Sequence, residues 1–84
     1  MGPAFAAERF LMKYPDVERV VVTLYGSLSK TGKGHGTDRA ILEVFSGIPT
    51  EIVFCDENIT LEHPNTLNIK GYAGDKEIAD MYKQ

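Results

Sequence analysis

The stretch RVVVTLYGSLSKTGKGHGTDRAILEVF, residues 19–45, decides the fold, because it passes from a strand through a glycine-rich loop into a helix. Its first part, RVVVTLY at 19–25, is rich in β-branched residues and almost continuously apolar. That pattern is typical of a central strand covered on at least one face. Gly26 ends the strand and the loop runs to Gly36. Thr37 is predicted to cap the next helix, since its hydroxyl can accept a free backbone N–H.

Two helices are predicted, one before this strand in the sequence and one after it. Apolar residues at helical spacing predict the first at about residues 3–14, ending before Pro15, whose ring disfavours the α conformation in the preceding residue. The second is predicted at about residues 38–46, closed by Gly47 and Pro49. Each helix has an apolar face, made of Ala7, Phe10, Leu11 and Tyr14 in the first and of Ala40, Ile41, Val44 and Phe45 in the second.

Three further strands are predicted after the second helix. EIVFC at 51–55 is a short apolar run, and TLNIKGY at 66–72 alternates between apolar and polar residues. The turn AGD at 73–75 then leads to a last strand at 76–83, paired back as a hairpin.

The order α-β-α-β-β-β predicts an α+β fold. One β-α crossover and a terminal hairpin give a mixed sheet of about four strands with the helices packed on one face. Leu67 and Ile69 are predicted to point inward. No linker or repeat divides the chain, so residues 1–84 are predicted to form a single domain.

The composition narrows the function classes. The formal net charge of -3 argues against nonspecific nucleic-acid binding, which needs a dense basic face. The longest apolar run is too short for a membrane span of roughly 20 residues. The single cysteine, Cys55, cannot form an intrachain disulfide, and it is predicted to be a buried structural thiol in a cytoplasmic protein. A chain this short buries a modest core, so we expect it to dimerise.

The loop does not fit the known phosphate-binding motifs. A P-loop needs G-x-x-x-x-G-K-S/T, but five residues separate Gly26 from Gly32, and Gly34 stands where the hydroxyl is required. Its glycines still let backbone N–H groups approach an anion, and Lys33 and His35 add charge and hydrogen bonding. The loop therefore predicts a site for a carboxylate or phosphate; the alternative is a plain glycine loop with a solvated lysine.

A second polar stretch is EHPN, residues 62–65. His63 is held in extended geometry by the following proline, and the amide of Asn65 can both donate and accept. This pair could recognise an ammonium or hydroxyl group, and the alternative is an ordinary turn before a strand. His35 and His63 are the only histidines, and no metal site is predicted from them because no carboxylate or thiolate completes a familiar zinc spacing.

Three segments resemble the β domain of bacterial iron–sulfur-dependent L-serine dehydratases. They are MGPAFAAERF at 1–10, LYGSLSKTGKGHGTDRAI at 24–41 and HPNTLNI at 63–69. The resemblance covers nearly the whole chain, and its middle motif is specific in order and spacing. It implies that this chain is a truncated β domain, similar also to the allosteric substrate-binding domain of some D-3-phosphoglycerate dehydrogenases.

The resemblance implies a reaction, the conversion of L-serine to pyruvate and ammonia. It also implies a 4Fe-4S cluster, held by cysteines of a separate α domain or α chain that would be the partner of this one. No residue of this chain matches those cysteines, so the chain is expected to be inactive alone and to bind serine or dock on the iron–sulfur domain.

The resemblance also names the residues expected to bind L-serine, as substrate or effector: Lys33, His35, Thr37, Asp38, His63 and Asn65. Lys33 and the loop amides would hold the carboxylate, and His63 and Asn65 the amine or hydroxyl. Two alternatives remain. One is a non-catalytic effector-binding domain of another serine-metabolism enzyme, such as D-3-phosphoglycerate dehydrogenase. The other is a dimerisation module whose loop binds nothing.

Overall fold

The computed structural model describes residues 2–26, 36–55 and 66–83. Its elements follow the predicted order and confirm the α+β class. They are α1 (Gly2–Lys13), β1 (Arg19–Tyr25), α2 (Thr37–Val44), β2 (Thr50–Cys55), β3 (Leu67–Ala73) and β4 (Lys76–Lys83). The ends of the elements lie within one or two residues of the predictions.

The four strands form one mixed sheet in the order β2-β1-β3-β4. β1 pairs parallel with β2 and antiparallel with β3, so it is central, as its continuous apolarity predicts. β3 and β4 form the predicted antiparallel hairpin. Because β1 and β2 are parallel, their carboxyl ends lie at the same end of the sheet, and β3 starts there. We call this end of the sheet the edge of β1 and β2.

The core lies between the helices and one face of the sheet. Side chains on alternate positions of β1 and β3 point to this face, Leu67 and Ile69 among them as predicted. The ring of Phe10 is fully buried there, 5.1 Å from the ring of Tyr14 and 6.1 Å from that of Phe45 between centroids. The buried core consists of Ala6, Ala7, Phe10, Val17, Val20, Val22, Leu24, Ile41, Phe45, Leu67, Ile69 and Ala79.

The predicted cap of the second helix is wrong by one residue. Gly36 occupies the cap position in a left-handed conformation (φ 77°), and the cap residue makes no side-chain capping hydrogen bond. Its carbonyl accepts the N–H of Ala40 at 3.0 Å, so Thr37 is already helical. Glycine adopts a positive φ at little cost and threonine does not, so this backbone conformation favours glycine at the cap position.

Candidate functional site

The candidate site lies at the edge where β1 and β2 end. Tyr25 and Cys55 are neighbours across these two strands, and the N–H of Gly26 donates to the Cys55 carbonyl at 3.2 Å. The N–H of Tyr25 donates to the carbonyl of Thr66 at 2.9 Å, just before β3. The glycine-rich loop and the segment that contains the His-Pro-Asn run therefore both leave the sheet from one edge.

The predicted site residues divide into two groups. Lys33, His35, His63 and Asn65 lie outside the described residues. Thr37 and Asp38 lie in the first turn of α2, where both are half-buried. In a β-α-β unit the helix begins at the edge where the first strand ends, so these two residues lie at the candidate edge.

Asp38 has a defined local role. Its Oδ1 accepts the backbone N–H of Arg39 at 2.9 Å. A carboxylate in the first turn also offsets the positive end of the helix dipole. Asp38 therefore places a negative charge at the end of α2 whose dipole would otherwise favour an anion.

The glycine-rich loop begins and ends with left-handed glycines. Gly26 has a φ of 57° and Gly36 a φ of 77°. Residues with a Cβ rarely adopt these angles, so both positions depend on glycine. The sequence between them is thus connected to the sheet and to α2 through two sharp turns.

Tyr25 and Asn68 are polar residues that were not predicted to take part in a site. Both lie on the face of the sheet opposite the helices. Asn68 is only 3% exposed, and its Nδ2 donates to Oδ1 of Asp80 at 2.6 Å and to the Met81 carbonyl at 3.2 Å. The only signal in the sequence is the polar half of the alternation TLNIKGY, in which Asn68 stands between two core residues.

Tyr25 is a neutral phenol at physiological pH. Burial raises its pKa above the ordinary 10.0, and the nearby Tyr82 and Cys55 raise it further, against a lowering by Lys70. A neutral phenol keeps its O–H as a hydrogen-bond donor. The carboxyl end of β1 therefore presents a donor next to Cys55 at neutral pH.

The chain does not fit an iron–sulfur cluster. Such clusters are held by a set of cysteine thiolates, and the whole sequence contains one cysteine. Cys55 is half-buried in β2, less enclosed than predicted. Among residues 2–26, 36–55 and 66–83, no three His, Cys, Asp or Glu side chains gather closely enough to bind a metal ion. In the same ranges, no helix is long and apolar enough to cross a membrane.

The fold is a small α+β arrangement in which a glycine-rich sequence joins β1 to α2. The family described as "Serine dehydratase beta chain" matches residues 1–53, more than half of the sequence. The chain therefore belongs to the serine dehydratase beta chain family. The match includes the positions of Lys33, His35, Thr37 and Asp38 and does not reach His63 or Asn65.

Curated relatives agree with this family. The chain is 49% identical to L-serine dehydratase 2 of Escherichia coli over 55 residues, covering 56% of this chain and 12% of that protein. It is 50% identical to L-serine dehydratase of Helicobacter pylori over 52 residues, which are 57% of this chain and 11% of that protein. It is 39% identical to L-serine dehydratase of Mycobacterium bovis over 69 residues, which are 75% of this chain and 14% of that protein. The chain thus spans a small part of the length of these relatives.

Proposed function

We propose that this chain is the β part of an L-serine dehydratase, an enzyme that converts L-serine to pyruvate and ammonia. The observation that carries the proposal is the family match over residues 1–53, which includes the whole glycine-rich loop. The family is described as a beta chain, so the proposed partner is an α chain or α domain. The complete enzyme would be cytoplasmic. That partner would hold the 4Fe-4S cluster, because the donor set of this chain does not suit one, and the chain alone would be inactive.

The role proposed for the edge of β1 and β2 is recognition of L-serine. Lys33 and the loop amides would bind the carboxylate, with His35 and Thr37 beside them. Asp38 would bind the ammonium group, and His63 and Asn65 would bind the amine or the hydroxyl. One observation supports this arrangement: the glycine-rich loop and the segment with the His-Pro-Asn run both leave the sheet where β1 and β2 end. Small ligands commonly bind beyond the carboxyl ends of parallel strands.

The surface proposed to dock on the α partner is the outer side of the helices. Met12 is 82% exposed, and Phe5 and Leu42 are also exposed. An open groove of about 450 Å³ runs between α1 and α2, lined by Glu8, Leu11, Met12 and Val44. Apolar side chains gathered on one side of a small domain are typical of a contact surface.

Alanine substitutions in the complete enzyme test the serine site. We expect Lys33→Ala to raise the L-serine concentration required for half-maximal activity by about ten- to a hundred-fold, because a hydrogen bond to a charged group contributes roughly 1.5–3 kcal/mol. His63→Ala should have a smaller effect in the same direction. The measurement is pyruvate formation against L-serine concentration.

Lys30→Ala is the matched control, because it removes the same charge from the same loop at a residue to which no contact with serine is assigned. It should leave the serine dependence unchanged. Wild-type serine dependence in both the Lys33 and His63 variants would rule out the proposed site. An effect of Lys30→Ala equal to that of Lys33→Ala would mean that only the charge of the loop matters.

A further inference from the structure

Met12 is the most exposed of the large apolar side chains that the structure describes. It lies in the last turn of α1 and is 82% exposed. Met81, the other methionine in the described ranges, is half-buried on β4 and packs against the core. Met1 lies outside those ranges. A solute in water therefore reaches the sulfur of Met12 more freely than that of Met81.

The groove beside Met12 offers no side-chain hydrogen-bond donor among the described residues that line it. Its lining consists of Glu8, Leu11, Met12 and Val44, from α1 and α2. The side chains of Leu11 and Val44 are hydrocarbons, and a thioether or an ionised carboxylate only accepts hydrogen bonds. A new acceptor placed in this groove is therefore satisfied by water and not by the lining.

Oxidation of a methionine sulfur creates such an acceptor. Hydrogen peroxide transfers one oxygen atom to the sulfur: the S–O bond forms as the O–O bond breaks, and the other oxygen leaves as water with both hydrogens. The sulfur is oxidised by two electrons and the peroxide is reduced. The product, methionine sulfoxide, is polar, and methionine sulfoxide reductases reverse its formation. At Met12 its oxygen would stand in a groove whose lining has no donor for it.

We propose that Met12 is an oxidation site through which peroxide controls docking on the α partner. As a thioether, Met12 offers the partner a flexible apolar contact of the kind that methionine makes at binding surfaces. As a sulfoxide, it offers an acceptor that an apolar partner surface can cover only by removing its water. The effect on docking rests on the docking surface proposed above, whereas the selective oxidation of Met12 depends on its exposure alone.

Peroxide treatment of the 84-residue chain, followed by trypsin and mass spectrometry, tests the selectivity. Trypsin cuts after lysine and arginine, so the three methionines fall in separate peptides, residues 1–9, 10–13 and 77–83. We expect peptide 10–13 to gain one oxygen several-fold faster than peptide 77–83, because oxidation follows exposure. In urea, where both side chains are exposed, the two rates should become equal. Equal rates in the folded chain would overturn the proposal.

The second measurement is the dissociation constant for the α chain or α domain of the complete enzyme. This chain is measured before and after peroxide treatment, with the peroxide removed before mixing. Oxidation should weaken docking by about five- to 150-fold, as expected for a polar group buried without a partner. Methionine sulfoxide reductases should restore the affinity. An untreated chain that does not bind would refute the proposed docking surface as well, whereas binding that peroxide leaves unchanged would refute only this inference.

Matched variants assign the effect to one sulfur. Met12→Leu keeps an apolar side chain of similar size and should abolish the response to peroxide, whereas Met81→Leu should keep the response. Met12→Gln, which places a polar group of similar length in the groove, should weaken docking without peroxide. Cys55 is present in all three variants, so a response that comes from its thiol would persist in Met12→Leu and would overturn the proposal.

Discussion

Replacing Phe10 with alanine is expected to lower the free energy of unfolding by about 3–5 kcal/mol, as for other large aromatic side chains removed from a core. Phe10 is fully buried and packs against the rings of Tyr14 and Phe45. It joins α1 to α2 and to the sheet at once, so no single element can move inward to fill the space. A domain of this size has a total stability of roughly 4–13 kcal/mol, and the change removes a large share of it.

Urea unfolding followed by circular dichroism measures this loss. Phe5→Ala is the control, because it makes the same change in the same helix at a side chain that is 54% exposed. The control should change stability by less than about 1 kcal/mol, since exposed positions contribute little. Equal losses in the two variants would contradict the packing described for Phe10.

Gly71→Ala is expected to destabilise the domain by about 1–3 kcal/mol, the usual range for an overpacked core. A Cβ at this position would lie 2.6 Å from Cγ1 of Val17 and 2.9 Å from Cζ of Phe10, closer than carbon atoms approach. In an uncrowded strand the same change would stabilise the fold, because alanine loses less backbone entropy than glycine. The sign of the effect therefore reports the contact.

A double substitution isolates the cause. Val17→Ala removes the nearer of the two atoms, so Gly71→Ala should be less harmful in that background than in the wild type. The measurement is again the free energy of unfolding in urea. A gain in stability from Gly71→Ala alone would show that the strand and α1 are not as close as described.

The sequence was sufficient for the order of elements and for the core. RVVVTLY could be assigned to a central strand because its β-branched residues make it almost continuously apolar. The inward direction of Leu67 and Ile69 followed from the two-residue period of a strand. These features depend on local pattern alone, which a single sequence displays directly.

Features that depend on contacts between distant segments could not be predicted. Thr37 has the chemistry of a cap, but the turn from the loop requires a left-handed residue, so Gly36 takes the position. Asn68 has the pattern of an ordinary polar strand residue, but it is buried and its amide donates to Asp80 on the neighbouring strand. For the proposed site, the structure gives the positions of Thr37 and Asp38 and of the strand ends next to the glycine-rich loop and the His-Pro-Asn segment. Lys33, His35, His63 and Asn65 stay predictions.

Serine recognition at the edge of β1 and β2 is tested most directly by an amide-resolved NMR titration of the 84-residue chain with L-serine, with D-serine as the control. We expect saturable shifts that only the L enantiomer produces, and among the described residues they should centre on Gly26, Gly36, Thr37, Asp38 and Thr66. Lys33→Ala should weaken them. Shifts that are absent, or the same for both enantiomers, would contradict a serine site in this chain.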